Sequence, residues 1–167
     1  MHPLLHNLHM PFSLLLNTRR DIHLNAYHIV ENPSVPVLCV TLHRPARNLK
    51  IMLQKKGIPT DHFQFIDTVS LRATTQHPDQ DTTYLWNHDL TRLGQTLLTK
   101  GSQIQGPKHV VFDAVSTLRY QYDQPTINRF IHQLQQRLPN IHANGIFLNE
   151  EYKPWIPNLQ FTKVIEL

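Results

Sequence analysis

The sequence predicts a single α/β domain in which a mostly parallel β-sheet lies between two layers of helices. Short apolar runs alternate with amphipathic stretches along the chain, which is the order of a strand–helix–strand fold. The run 35–42 (VPVLCVTL) is apolar over nearly its whole length, as in a parallel strand that is buried on both faces. A chain of 167 residues also suits one domain, which buries about 70% of its unfolded surface.

Six segments have the composition of β-strands, and one long polar segment does not. The predicted strands comprise residues 11–17, 35–42, 63–67, 109–113, 144–149 and 161–167. The polar stretch 70–83 has no periodicity and is predicted to be a loop.

Four helices are predicted between these strands, from apolar residues spaced three or four positions apart. The first follows Asp21, whose carboxylate can cap it, and ends before Pro33. The others comprise residues 45–56, 86–101 and 124–138. In such a sheet ligands bind at the carboxyl ends of the strands, so the candidate site residues are sought there.

Charge and composition favour a protein that binds neither nucleic acid nor membranes. The formal net charge is +4, and the longest runs of Lys and Arg are the pairs Arg19-Arg20 and Lys55-Lys56. Nucleic-acid-binding proteins usually concentrate positive charge in a patch or stripe. The apolar N-terminus lacks the preceding positive charge of a signal peptide and is broken by two prolines. We expect a cytoplasmic protein, with one domain over 1–167 and a loose tail over 1–10.

The cysteine and histidine content predicts no built metal centre. The single cysteine, Cys39, lies in an apolar run and is expected to be buried. His2, His6 and His9 have a spacing at which a helical tail could present them together. Structural zinc sites usually recruit cysteines or a tight set of His, Asp and Glu, so adventitious metal binding by this tail is the alternative.

Four motifs occur in a defined order along the chain. They are VLCVTLHRP (37–45), LKIMLQKKGI (49–58), FQFIDTVS (63–70) and HVVFDAVSTL (109–118). Together they resemble the RecA-like core of KaiC-type ATPases over about residues 12–149. They look closest to divergent, mainly archaeal relatives, several of which have lost the nucleotide motifs. The resemblance implies a RecA-like three-layer sandwich, the fold of P-loop NTPases, and domains that commonly assemble side by side.

The resemblance also indicates where nucleotide-binding residues would lie. Segment 17–23 (NTRRDIH) stands where the phosphate-binding loop would be, but it has neither the glycines nor the lysine of G-x-x-x-x-G-K-[ST]. A catalytic glutamate would follow the second strand, where residues 43–45 are His-Arg-Pro. Asp113 alone matches a family position, that of the magnesium ligand. We expect no ATP hydrolysis and no cofactor, with ATP or another nucleotide plus Mg²⁺ as the alternative.

Six polar residues near the predicted strand ends are candidates for ligand binding. The set comprises Arg19, Arg20, His43, Asp67, Asp113 and Ser116. Arg19 and Arg20 precede a predicted helix N-terminus, a natural anion site, although two arginines on a solvated loop are the alternative. His43 and Asp67 could form an acid–base pair.

Asp113 and Ser116 have two interpretations. Asp113 is either a metal ligand and acidic anchor or the cap of the turn that follows it, and Ser116 fits that turn equally well. No catalytic residue is predicted.

Tyr152 and Trp155 follow the fifth predicted strand on a proline-containing segment. They are predicted to contact a partner, or else to cover the edge of the sheet.

We expect a non-catalytic regulatory or signalling module that acts through a protein partner or self-association. The alternative is a protein or enzyme that binds a nucleotide or another anionic small molecule in the crevice at the strand ends.

Overall fold

The computed structural model describes residues 8–19, 23–70, 79–85, 89–150 and 160–167. Within these residues seven strands form one sheet, and every neighbouring pair is parallel. The strands are β1 (Ser13–Asn17), β2 (Val37–Thr41), β3 (Phe63–Asp67), β4 (Thr82–Tyr84), β5 (Lys108–Asp113), β6 (Ala143–Asn149) and β7 (Lys163–Glu166). Their order across the sheet is β4-β3-β2-β5-β6-β1-β7, so β2, β5 and β6 lie at its centre.

Three α-helices and three 3₁₀ helices connect the described strands. The α-helices are α1 (Ala46–Lys55), α2 (Leu90–Gln103) and α3 (Gln124–Arg137). The 3₁₀ helices comprise His23–Val30, Val115–Tyr120 and Leu138–Ile141. Helices α2 and α3 begin at aspartates, Asp89 and Asp123, whose side chains accept hydrogen bonds from backbone amides of the first turn.

The helices bury the two faces of the sheet in separate hydrophobic clusters. On one face α2 and α3 pack against the strands through residues such as Leu97 and Ile131. On the other face α1 and the 3₁₀ helix His23–Val30 do so through Leu53 and Tyr27. The predicted three-layer α/β fold is therefore confirmed.

The predicted strands agree with the structure to within two residues at each end. Residues 82–84 differ: they pair with β3 as the edge strand β4, although they fall in the stretch predicted to be a loop. Three residues are too few to display a periodicity of two, so their sequence carried no strand signal. The described part of the first helix is 3₁₀ rather than α, while its predicted cap Asp21 lies outside the described residues.

Two further expectations can be compared with the fold. Cys39 is completely buried in β2, as predicted. None of the described helices has both the length and the apolar character needed to cross a membrane.

Candidate functional site

Five neighbouring strands end in buried polar residues at the carboxyl edge of the sheet. Across the sheet, from β3 to β1, these residues are Asp67, Thr41, Asp113, Asn149 and Asn17, and each is at most 2% exposed. A row of buried polar groups needs hydrogen-bond partners, because leaving such groups unsatisfied is costly. The partners therefore define what this edge can do.

Asp113, at the end of the central strand β5, is held by two residues of the 3₁₀ helix His23–Val30. His23 Nε2 lies 2.5 Å from Asp113 Oδ1, and the Tyr27 hydroxyl donates to the same oxygen at 3.0 Å. All three side chains are at most 1% exposed. The segment that follows β1 is thus anchored to the middle of the sheet.

The second oxygen of Asp113 faces a cation from the β2–α1 connection. Arg44 Nε lies 3.3 Å from Asp113 Oδ2, an ion pair by distance in which neither atom forms a hydrogen bond with a described residue. Arg44 Nη2 donates to Glu150 Oε1 at 2.7 Å. Glu150 Oε1 also lies 3.5 Å from His23 Nε2. We call His23, Tyr27, Arg44, Asp113 and Glu150 the carboxyl-edge cluster. It brings two carboxylates together with one guanidinium, one imidazole and one phenol hydroxyl.

These contacts control the ionisation of the buried groups. Burial alone would raise the pKa of Asp113, but the hydrogen bond and charge of His23, together with the charge of Arg44, outweigh it and lower the pKa. The pKa of the Tyr27 hydroxyl is raised well above its usual range by burial and by the charge of Asp113. Asp113 is therefore a carboxylate and Tyr27 a neutral donor at physiological pH.

The other ring nitrogen of His23 contacts Thr18. His23 Nδ1 lies 3.2 Å from Thr18 Oγ1, which in turn lies 3.5 Å from the backbone oxygen of Asn149. A neutral imidazole accepts a hydrogen bond from the Thr18 hydroxyl at Nδ1. An imidazolium instead donates a hydrogen bond to Thr18, whose hydroxyl then donates to the backbone oxygen of Asn149. The order carboxylate, histidine, hydroxyl is that of a nucleophilic triad. Thr18 is only 2% exposed, so its hydroxyl is shielded from solvent in this arrangement.

Asp67 and His43, predicted as an acid–base pair, are not joined by a hydrogen bond within the described residues. The Asp67 carboxylate instead accepts from the backbone amides of Ala46, Val69 and Ser70 at 2.8–2.9 Å, and from the Ser70 hydroxyl at 2.7 Å. His43 is exposed beyond β2. Asp67 thus fixes the start of α1 and the turn after β3.

The remaining predicted site residues occupy different surroundings. Arg19 is exposed just beyond β1, and Ser116 is 4% exposed in the 3₁₀ helix Val115–Tyr120. The chain reaches this helix through Ala114 in the left-handed conformation, at φ 58°. The Asp113 carboxylate bonds to His23 and Tyr27 instead of capping that turn.

Several predictions fall where the structure gives no description. Six residues named in the predictions lie outside the described part of the chain: His2, His6, Arg20, Trp86, Tyr152 and Trp155. Trp86 is the first residue of the predicted third helix. Of the histidine tail only His9 is described, and it is exposed. Among the described residues no group of three or more His, Cys, Asp and Glu side chains could hold a metal ion.

The sequence did not identify His23, Tyr27 or Glu150 as site residues. His23 and Asp113 are separated by 90 positions, so no local spacing relates them. The available signal was a histidine within 17–23, the segment that stands in place of a phosphate-binding loop. A buried carboxylate at the end of the central strand needs cationic or donating partners, and His23 is one of three such groups that reach Asp113, with Tyr27 and Arg44.

Comparison with known proteins finds similarity in structure and none in sequence families. No protein-family profile matches the sequence, and no curated protein matches it. Among solved structures, a KaiC-like protein from the hyperthermophilic archaeon Pyrococcus horikoshii OT3 superposes with a TM-score of 0.64 at 15% identity. The match covers 87% of this chain and 67% of that one. The RecA/KaiC-like fold predicted from the four motifs is confirmed.

The fold family implies magnesium and a nucleotide, but the residues at this edge do not fit that pair. Magnesium requires oxygen ligands and usually keeps several of its waters. Asp113 Oδ1 already accepts from His23 and Tyr27, and Oδ2 faces the Arg44 guanidinium. A cation is thus present where the metal would approach Asp113.

Proposed function

We propose that this RecA-like domain works without hydrolysing nucleotide, as a regulatory or signalling module that acts through contacts with other proteins. The observation that supports the proposal is the state of Asp113, which is fully buried and paired with His23 and Arg44. This aspartate is the residue that the family resemblance would assign to magnesium. Here it stabilises the fold.

Energetics favour this structural role over a latent metal site. Removing one partner from a buried ion pair costs about 3–5 kcal/mol, since the other charge is left uncompensated. A metal bound at Asp113 would have to displace the Arg44 guanidinium from Oδ2. The ion pair between Arg44 and Glu150 would then have to rearrange. Without a glycine-rich cradle in segment 17–23, little phosphate-binding energy is available to offset that cost.

A small-molecule site at the same edge is the second candidate function. A cavity of about 150 Å³ lies between the residues that follow β2 and the 3₁₀ helix Val115–Tyr120, and its lining includes Leu42, His43, Thr117 and Tyr120. Ligand pockets typically measure roughly 300–1,000 Å³, so this cavity is too small for a nucleotide. It suits a fragment the size of a small organic anion, bound near His43.

A thermal-shift panel with ATP, GTP and cyclic nucleotides, each with and without Mg²⁺, tests the proposal. We expect the melting temperature to be unchanged by every nucleotide. Stabilisation that disappears in the Arg19→Ala/Arg20→Ala variant would instead establish an anion-binding site after β1. Light scattering on the same samples reports whether the chain self-associates, the other form of protein contact that the proposal allows.

A further inference from the structure

Among the described residues, four buried side-chain atoms have no hydrogen-bond partner, and three of them belong to residues at the carboxyl edge of the sheet. The three are Thr41 Oγ1, Arg44 Nε and Asp113 Oδ2, whereas the fourth, His62 Nδ1, lies just before β3 at the opposite edge. Nearly all buried polar groups in native proteins are paired, either with protein atoms or with ordered water. Three unpaired atoms at one edge therefore indicate a common partner.

The ends of β2 and β5 place Thr41 beside Asp113. The two residues are partners in the register of these parallel strands, and both are completely buried. Neighbouring strands lie about 4.8 Å apart, and residues in register point to the same face of the sheet. The Thr41 side chain is thus on the face where Asp113 meets His23 and Tyr27, yet its hydroxyl forms no hydrogen bond with Asp113.

The aspartate on the other side of Thr41 already has its partners. Asp67 is the register partner of Thr41 in β3, and each of its carboxylate oxygens accepts two hydrogen bonds, from backbone amides and from the Ser70 hydroxyl. In Asp113, by contrast, Oδ1 accepts hydrogen bonds and Oδ2 accepts none from the described residues. The acceptor that remains open next to Thr41 is therefore Asp113 Oδ2.

The guanidinium of Arg44 has one N–H group left for the same place. Its Nη2 donates to Glu150 Oε1 at 2.7 Å, and its Nη1 lies 3.9 Å from Met52 Sδ. Its Nε is 3.3 Å from Asp113 Oδ2, close enough for an ion pair, but the two atoms form no hydrogen bond. A donor and an acceptor thus remain open side by side, at the strand end next to Thr41.

A water molecule has the hydrogen-bonding capacity that these three groups require. It can accept from Arg44 Nε, donate to Asp113 Oδ2 and form a third bond with the Thr41 hydroxyl. Buried waters in proteins typically make about three hydrogen bonds to groups that are otherwise unpaired. A charged ligand fits less well, because the guanidinium repels a cation and the Asp113 carboxylate repels an anion.

We propose that Thr41, Arg44 and Asp113 form a site for one tightly held water molecule. The water completes the hydrogen bonding of Asp113 Oδ2 and connects the end of β2 to the end of β5. The site is independent of the proposed function, because it concerns the interior of the domain and not its partner.

Oxygen-17 magnetic relaxation dispersion on the full chain counts long-lived internal waters and tests the proposal. In Thr41→Ile a larger apolar side chain replaces the hydroxyl and takes the place of the water, so we expect one long-lived water fewer than in the native chain. Thr60→Val is the matched control, because this buried threonine already accepts a hydrogen bond from Gln54 at 3.1 Å. Its water count should equal that of the native chain.

Thermal unfolding of Thr41→Val gives an independent readout, since valine replaces the hydroxyl by a methyl group of the same shape. If the hydroxyl bonds to a water, its loss should lower the melting temperature by about 2–4 °C, the equivalent of one hydrogen bond in a chain of this size. If the hydroxyl is unpaired, the same change should raise the melting temperature or leave it unchanged.

Three outcomes would overturn the proposal. The first two are equal water counts in the native chain and Thr41→Ile, and a Thr41→Val variant at least as stable as the native chain. The third is a high-resolution crystal structure of the native chain in which Arg44 Nε donates directly to Asp113 Oδ2 and no water lies within hydrogen-bond distance of Thr41 Oγ1. That structure also decides the matter if Thr41→Ile does not fold.

Discussion

His23 Nε2 and Asp113 Oδ1 lie 2.5 Å apart in the interior of the protein, joining the segment after β1 to the end of the central strand β5. The contact joins two buried groups that are 90 positions apart in the sequence, and each would lose its shortest polar contact without the other, which is costly in the protein interior. Arg44 and Glu150 extend the contact to the surface. The cluster holds together the connections that follow β1, β2, β5 and β6.

Asp113→Asn should destabilise the protein by about 3 kcal/mol, since it leaves His23 and Arg44 facing an uncharged amide. The free energy of unfolding in urea measures this loss. Asp61→Asn, the same change at an exposed turn position, should stay within about 0.5 kcal/mol of the native chain. Equal stabilities of the two variants would mean that Asp113 is not paired.

Arg44→Ala should lower stability by about 2 kcal/mol, because the guanidinium contacts both carboxylates of the cluster and its side chain is only 17% exposed. Arg47→Ala removes an exposed arginine three residues further on and should have an effect near zero. Thermal unfolding of the two variants side by side measures the difference. An Arg44→Ala variant as stable as Arg47→Ala would contradict the ion pairs described for Arg44.

His109 should make stability fall as pH decreases from about 6.5 to 4. Burial, with the charge of His62, lowers the pKa of His109 from 6.5 to about 4. Between these values the unfolded chain binds more protons than the folded chain, so acid favours unfolding by up to about 3 kcal/mol. In His109→Gln this part of the pH dependence should disappear, and in the exposed control His132→Gln it should persist. Identical pH profiles for all three proteins would contradict the prediction.

Two glycine-to-alanine changes should have opposite signs. In β6 a Cβ atom at Gly145 would lie 2.9 Å from Phe147 Cε2, in a ring that stacks on Phe112, so Gly145→Ala should cost about 1–3 kcal/mol through overpacking. At Gly94, inside α2, the new methyl group meets only ordinary contacts, and higher helix propensity should stabilise the protein by up to about 1 kcal/mol. Melting temperatures that shift in the same direction would refute this packing description.

The fold was predictable because its signals are local. The apolar run of β2 and the FQFID sequence of β3 indicated buried strands, and the stripes of α2 and α3 indicated helices, without knowledge of any long-range contact. The edge strand β4 was missed because its pairing with β3, and not its composition, makes it a strand.

The candidate site was predicted only in part, for a physical reason. Asp113 could be located at a strand end by the pattern of β5, but its partners His23 and Glu150 come from connections whose course depends on the whole sheet. Asp67 was located correctly at a strand end, but its contacts could not be foreseen. Its carboxylate accepts hydrogen bonds from backbone amides that come within reach only in the folded turn.

Calorimetric titration of the full chain with Mg²⁺ and ATP tests most directly whether the carboxyl-edge cluster takes the place of a nucleotide site. We predict no saturable heat at millimolar nucleotide, for the native chain and for Arg44→Ala alike. A one-to-one isotherm for the native chain that Asp113→Asn abolishes would contradict the account, because Asp113 would then serve a bound metal instead of His23 and Arg44.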